Sequence, residues 1–248
     1  MQNKTKNLLT RYLFPLAFWL SLWQVLSLIV DKKFLLPGIP DTIKALLKLL
    51  CESDFYLAAT LSALRVLIGL ALGIILGFLL AILCNHSKIA SSLILPIVTL
   101  IKSTPVASFI VVLWVMMSGD ALSVFIGFLM VMPIILQNTL DGYNAIDIQL
   151  SEVADVFEIN GIHRFKILVY PTLKRYLLPA IISSAGLAWK AEIAAEIIAY
   201  TKRSIGQGIN DAKYNMDTPT VFAWTVVIIT FSIILEKCTK KLLGRWSK

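Results

Sequence analysis

The sequence predicts an all-α protein that crosses a membrane several times, and three observations carry that expectation. Of its 248 residues, 58% are hydrophobic, and the mean hydropathy is +0.80. Soluble domains have an apolar share of roughly 45–50%. The apolar residues also come in long blocks, at 12–30, 63–84, 89–117, 121–140, 176–200 and 220–236. A helix needs about 20 apolar residues to cross the hydrocarbon core, so these blocks predict six crossings of uneven quality. The chain divides into a first span with an outer loop (1–59), a core of spans (60–236) that contains a long loop at 141–175, and a basic tail (237–248).

The first block, 12–30, reads as a span rather than a cleaved leader. It is long, charged residues Asp31-Lys32-Lys33 follow it, and no small-x-small cleavage site comes after. Pro37-Gly38-Ile39-Pro40 then predicts a rigid turn, with Asp41 capping the helix that follows. Ile43, Leu46, Leu47 and Leu50 fall on one face of that helix, with Lys44 and Lys48 opposite. The stripe suits either the membrane interface or packing on the spans.

Span 63–84 carries Gly69, Gly73 and Gly77 at every fourth position, continued by Ala81. Small residues at this spacing form a flat stripe that lets another helix approach closely, and helix packing is the role they predict. Block 89–117 is interrupted by Lys102-Ser-Thr104-Pro105, and neither half is long enough to cross alone. Two readings stand. One is a broken helix whose freed backbone and Lys102 line a pathway. The other is a plain proline kink with Lys102 reaching toward the inner interface.

Block 176–200 holds Lys190, Glu192 and Glu196 inside an apolar run, where an ionised group is costly unless paired or wetted. Trp189, Glu192 and Glu196 share one helical face, while Lys190 points elsewhere, beside Ser183 and Gly186. The three charges are candidates for a pathway or subunit interface. Glu196 also has a simpler reading, in which Lys202 or Arg203 at the outer boundary pairs with it.

Lys and Arg set the orientation. With the N-terminus inside, the inner segments carry Lys4, Lys6, Arg11, Lys88, Arg164, Lys166, Lys174, Arg175 and the tail cations Lys237 to Lys248. The outer segments carry fewer, including Arg65, Lys202 and Arg203. The bias predicts a multi-pass protein of the cell membrane with both termini cytoplasmic. It accounts for the net charge of +8 through inner loops that meet anionic lipid, with no nucleic acid required.

Other chemistry is not signalled. Cys51, Cys84 and Cys238 are far apart and read as packing residues; His86 and His163 fall in predicted loops without partners at ligand spacing. No metal and no cofactor is expected. There is no Gly-x4-Gly-Lys-Ser/Thr, and Gly206-Gln-Gly208 is too short for a dinucleotide fingerprint. If ATP drives this protein, another subunit binds it. Nor do His, Asp and Ser groups converge at one depth as a membrane-embedded enzyme requires.

Residues 152–171 form a polar island. Val153, Val156, Phe157 and Ile159 recur at helical spacing, Gly161 interrupts them, and Ile162, Phe165, Leu168 and Val169 continue to Pro171. Two short amphipathic helices joined at the glycine make a knob that fits a groove on another protein.

The pattern Glu152-x-Ala154, then Gly161, then an apolar-x-x-Pro171 run resembles the EAA loop of permease subunits in ATP-binding cassette importers. Lys102-Ser-Thr-Pro105, Trp114, Pro133, Asn138-Thr139, Gly142, Gly186 to Glu196 and Gly206-Gln-Gly208 extend the likeness to the nitrate/sulfonate/taurine-type branch. The resemblance covers about residues 60 to 235. It implies six transmembrane helices of the type I importer kind, with a cytoplasmic coupling-helix loop. It implies docking of that loop on an ATPase through Glu152, Ala154, Phe157, Gly161, Ile162 and Pro171. It also implies a pathway past Lys102, Thr104, Pro105, Lys190, Glu192 and Glu196. The implied partners are ATP-binding subunits, an extracytoplasmic binding protein and a second permease copy, as a homodimer. The cargo would be a small polar solute, with sulfonates or nitrate preferred.

Asp155 stands where that family often has a basic residue, and Glu158 where it often has glycine. Two other assignments remain open on the sequence: a secondary transporter that couples protons through Glu192 or Glu196, and an importer without its own binding protein.

Overall fold

The computed structural model describes residues 14–246, with only the backbone at Arg245 and Trp246. Lys4, Lys6, Arg11, the first two residues of block 12–30, and Lys248 lie outside the described residues. Among the described residues the fold is all-α, with no strand. Its helices are α1 (Phe14–Val30), α2 (Ile39–Cys51), α3 (Ser53–His86), α4 (Lys88–Ser103), α5 (Val106–Trp114) and α6 (Gly119–Asn144). Then follow α7 (Ile148–Val156), α8 (Gly161–Arg164), a π-helical turn at Phe165–Val169, α9 (Tyr170–Ile198), α10 (Ile205–Tyr214) and α11 (Thr218–Trp246).

Among the described residues, four helical runs are long and apolar enough to cross a membrane: α3, α6, the run from α8 through α9, and α11. Helices α4 and α5 form a fifth only as a pair, bent by 100° across Thr104 and Pro105. The cause is local, because proline offers no N–H and disfavours helix in the residue before it. Thr104 is accordingly extended, at ψ 132. Helix α1 is apolar but has 17 described residues, short of the usual span. Six apolar blocks thus become four long spans, one broken pair and one shorter helix.

Helix α6 is the centre. Leu122, Ile126, Val131, Ile135, Leu136 and Thr139 on it are buried without residual exposure, and α3 and α9 flank it. Gly69, Gly73 and Gly77 line the α3 contact with α6. A Cβ on Gly73 would lie 2.5 Å from Val131 Cβ, and one on Gly77 would lie 2.7 Å from the Met132 carbonyl oxygen. Trp189 of α9 ties α11 in place. Its indole donates to the Ile228 carbonyl at 3.0 Å and stacks on Phe231 at 5.7 Å.

Several local expectations are corrected. Asp41 lies in the first turn of α2 and accepts from Lys33 at 3.3 Å, while Gly38 is the N-cap. The buried face of α2 is Thr42, Ala45, Leu46 and Leu49; Ile43, Leu47 and Leu50 face outward. An apolar stripe in a membrane protein need not point at protein, since lipid or its interface satisfies it too. Only Cys84 is buried; Cys51 and Cys238 are exposed. His86 closes α3 and His163 lies in α8, so neither is in a loop.

Candidate functional site

Two places concentrate polar chemistry, and the length of α9 separates them. The first is a buried cluster where α3, α6, α9 and α10 meet. Ser62 and Arg65 stand on α3 one turn apart, on the face that continues through Gly69. Glu196, near the end of α9, is 1% exposed. Its carboxylate accepts from Arg65 Nη1 at 2.9 Å, from Ser62 Oγ at 2.8 Å and from the Gly206 amide at 3.3 Å. Arg65 Nη2 also reaches Asp120 Oδ1 at 2.7 Å and the Lys202 carbonyl at 3.3 Å. A guanidinium that bridges two carboxylates from different helices is held in one orientation.

Glycines make the close approach possible. A Cβ on Gly206 would lie 2.5 Å from Glu196 Cβ, and one on Gly208 would lie 2.5 Å from the Trp224 ring. Only glycine lets α10 seat its first turn against α9 and α11. Tyr200, just past the Ala199 C-cap of α9, has φ at 52°, in the left-handed region that favours glycine. The Tyr200 hydroxyl donates to Asp211, and that hydrogen bond pushes the phenol above its ordinary pKa.

Glu192, one turn before Glu196, is also 1% exposed, and neither carboxyl oxygen has a hydrogen-bond partner. It lies between Gly69 of α3 and Gly127 of α6, so close that a Cβ on either glycine would overlap Oε1.

The second place is the loop from α7 to the π-helical turn. Asp147 caps α7 by accepting from the Gln149 amide at 2.8 Å. The helix then ends in a Schellman turn: the Ile159 amide donates to the Ala154 carbonyl at 2.8 Å and the Glu158 amide to Asp155 at 3.0 Å. The residue that takes the left-handed conformation there is Glu158, at φ 53°. Gly161 follows at φ 58° with nothing within 4 Å of its Cβ position. The joint between the two helices is therefore Phe157 to Asn160, and Gly161 begins α8 instead of separating the pair. Its glycine is required by backbone conformation, not by close approach.

Arg164 of α8 closes the loop on itself, with Nη1 on Asp155 and Nη2 donating to Ser151 Oγ at 2.6 Å. Ala154 is buried beneath the turn, whereas Ile148, Val156, Phe157 and Ile162 are each 70% exposed or more. Glu152 and Pro171 are exposed too. Large apolar side chains thus stand outward on a pinned scaffold.

The remaining candidates do not join either place. Lys102 is exposed in the last turn of α4, the Thr104 hydroxyl donates back to Leu100 at 2.7 Å, and Pro105 is exposed. Lys190 is exposed on the side of α9 away from Glu192. Among the described residues no hydrogen bond or ion pair links Lys102 or Lys190 to either glutamate. Neither Lys202 nor Arg203 pairs with Glu196; Arg65 does. Sequence reasoning passed over Arg65, though an arginine within an apolar helix signals a paired charge. Among the described residues no group of His, Cys, Asp and Glu is arranged to hold a metal ion.

Comparison with known proteins follows the same outline. Residues 73–242 match the family described as binding-protein-dependent transport system inner membrane component. A putative aliphatic sulfonates transport permease protein of Bacillus subtilis is 25% identical over 221 residues, which cover 88% of this chain and 78% of that protein. A nitrate import permease protein of Synechococcus elongatus is 27% identical over 214 residues, 82% of this chain and 76% of that one. A putative ABC transporter permease protein of Methanocaldococcus jannaschii is 24% identical over 243 residues, 94% of this chain and 89% of its own.

Proposed function

Because the chain belongs to the binding-protein-dependent transport system inner membrane component family, we propose that it is the permease subunit of an ATP-driven importer. It carries a small polar solute, an anion such as a sulfonate or nitrate by preference, that an extracytoplasmic binding protein delivers. The chain performs no bond chemistry; separate ATPase subunits hydrolyse ATP. Two copies form the pathway, and both termini lie on the ATPase side.

The observation that carries this reading is the α7–α8 knob. Phe157, Val156 and Ile162 stand outward on a turn clamped by Arg164, Asp155 and Ser151. A rigid knob transmits force, and a floppy one does not. When the ATPase subunits close, the knob moves with them, and the π-helical turn passes that displacement directly into α9. Helix α9 carries Glu192 and Glu196 to the far end of the bundle. The anion preference rests on what the two named relatives are called.

The chain, expressed with the proteins of its own cell and purified in mild detergent, brings down an ATP-binding subunit. The reconstituted complex takes up labelled sulfonate or nitrate only with ATP. Gly161→Trp, which forces a bulky side chain to φ 58°, releases the ATPase while membrane insertion persists. Uptake that continues without ATP and collapses with the proton gradient overturns the importer reading. Uptake of only a large peptide or a lipid overturns the cargo.

A further inference from the structure

We propose that Glu192 is a proton-binding site: while α3, α6 and α9 are packed together its carboxyl is a neutral acid, and the proton leaves when that packing opens. The two glutamates of α9 are the starting point. Glu196 accepts from Ser62, Arg65 and the Gly206 amide, which is the environment of a carboxylate anion. Glu192 lies one turn away and is equally buried, yet both its oxygens are without a partner. A buried carboxylate with neither counter-charge nor donors is strongly disfavoured.

Nothing nearby supplies the counter-charge. The charged groups facing this region are Arg65 from α3, Asp120 from α6 and Glu196 from α9 itself. Arg65 already spans Glu196, Asp120 and the Lys202 carbonyl. One cation against two carboxylates leaves no positive charge to spare. Lys190 is exposed on the other side of the helix.

Size then selects the ligand. The walls at Gly69 and Gly127 stand so close to Oε1 that a single carbon added to either overlaps it. On those two sides of Oε1 there is no space for another heavy atom. A proton needs none. The glycine of Gly127 is thereby explained as well: it leaves space for the acid.

The consequence is a link between pH and conformation. The packed state binds one proton more than a state in which water reaches Glu192. By linkage, packing is favoured at low pH and weakens as pH rises. Any cycle that parts α9 from α3 and α6 releases this proton and takes one back on closing.

The test uses the full chain in lipid nanodiscs and its infrared spectrum. The wild type shows the carbonyl stretch of a protonated carboxyl at neutral pH; Glu192→Gln loses that band, and Glu196→Gln keeps it. The thermal midpoint of the wild type falls as pH is raised, and that of Glu192→Gln follows a flatter course. Should the variant not fold, wild type grown on carboxyl-labelled glutamate serves instead, with the band expected to shift. A wild-type spectrum without the band overturns the proposal. So does a band that survives in Glu192→Gln, ignores the label, or comes with identical pH slopes in the two proteins.

Discussion

Arg65 and Glu196 stand 131 residues apart in the chain and meet at 2.9 Å, Nη1 to Oε1, inside the bundle. Around that pair the other contacts fall into order. Ser62 uses the same α3 face to reach both Glu196 and the Ile205 amide, and Gly206 brings α10 in behind. The pair is therefore the joint that fixes α3, α9 and α10 relative to one another. The cap of α10 depends on it as well, since Ser204 and Ser62 together hold that first turn.

Arg65→Ala leaves Glu196 buried without its cation, and breaking one side of a buried pair costs about 3–5 kcal/mol. Unfolding in detergent measures the loss. Arg65→Ala with Glu196→Gln in one chain restores part of it, because no charge is then stranded. A single variant as stable as wild type, or a double variant equal to the sum of the two, contradicts the joint.

Gly73→Ala and Gly186→Ala make the same change in two places with opposite outcomes. At Gly73 the new methyl meets Val131 Cβ at 2.5 Å, and at Gly186 nothing lies within 4 Å. The first variant is less stable by about 1–3 kcal/mol through overpacking. The second gains up to about 1 kcal/mol from helix propensity. Melting curves of the three proteins decide the matter, and equal midpoints for the variants speak against the α3–α6 contact.

Glu158 holds the left-handed turn at the end of α7, at φ 53°. Glu158→Gly relieves a backbone cost of about 1–2 kcal/mol, and Gly161→Val incurs one at φ 58°. Neither change removes any of the exposed apolar side chains Ile148, Val156, Phe157 and Ile162. Limited proteolysis of the loop reads the difference: cleavage slows in Glu158→Gly and quickens in Gly161→Val. The opposite order removes the Schellman turn from the account.

What the sequence disclosed follows the range of the forces involved. Apolar blocks are local, so the four long spans are legible in the sequence and Pro105 announces the break between α4 and α5, whereas block 12–30 becomes a shorter apolar helix and not a confirmed sixth span. Helical period put Trp189, Glu192 and Glu196 on one face, and all three are buried there. Pairing across the fold was not legible. Nothing near Glu196 in the chain points to Arg65, and nearer cations at Lys202 and Arg203 were the more obvious partners. The sequence leaves the stripe of α2 between the membrane interface and packing on the spans, because period alone does not tell two apolar surroundings apart; Ile43, Leu47 and Leu50 face outward, and only Leu46 of the stripe packs on the core. The sequence points to Gly161 as the joint of the loop, since glycine is the usual left-handed residue, yet Glu158 also adopts that conformation and the turn lies at Phe157 to Asn160.

Lys190 yields the last prediction. Its side chain is exposed on the flank of α9, two turns before the helix ends at Ile198, and thus about 12 Å along the axis from that end. An ammonium facing lipid at the middle of a span costs about 2.5–3.5 kcal/mol. A second copy or an aqueous route over this flank would remove that cost, and so would a side chain that extends to the interface. Lys202 lies beyond the helix, where water is at hand, and its side chain carries no such demand. Lys190→Ala then lowers uptake or the yield of the assembled complex several-fold, while Lys202→Ala stays near wild type. Transport assays and the mass of the detergent-solubilised complex report on the two effects separately. Small, equal effects from both changes mean that Lys190 merely reaches up to the interface, and that this flank of α9 is neither pathway nor subunit contact.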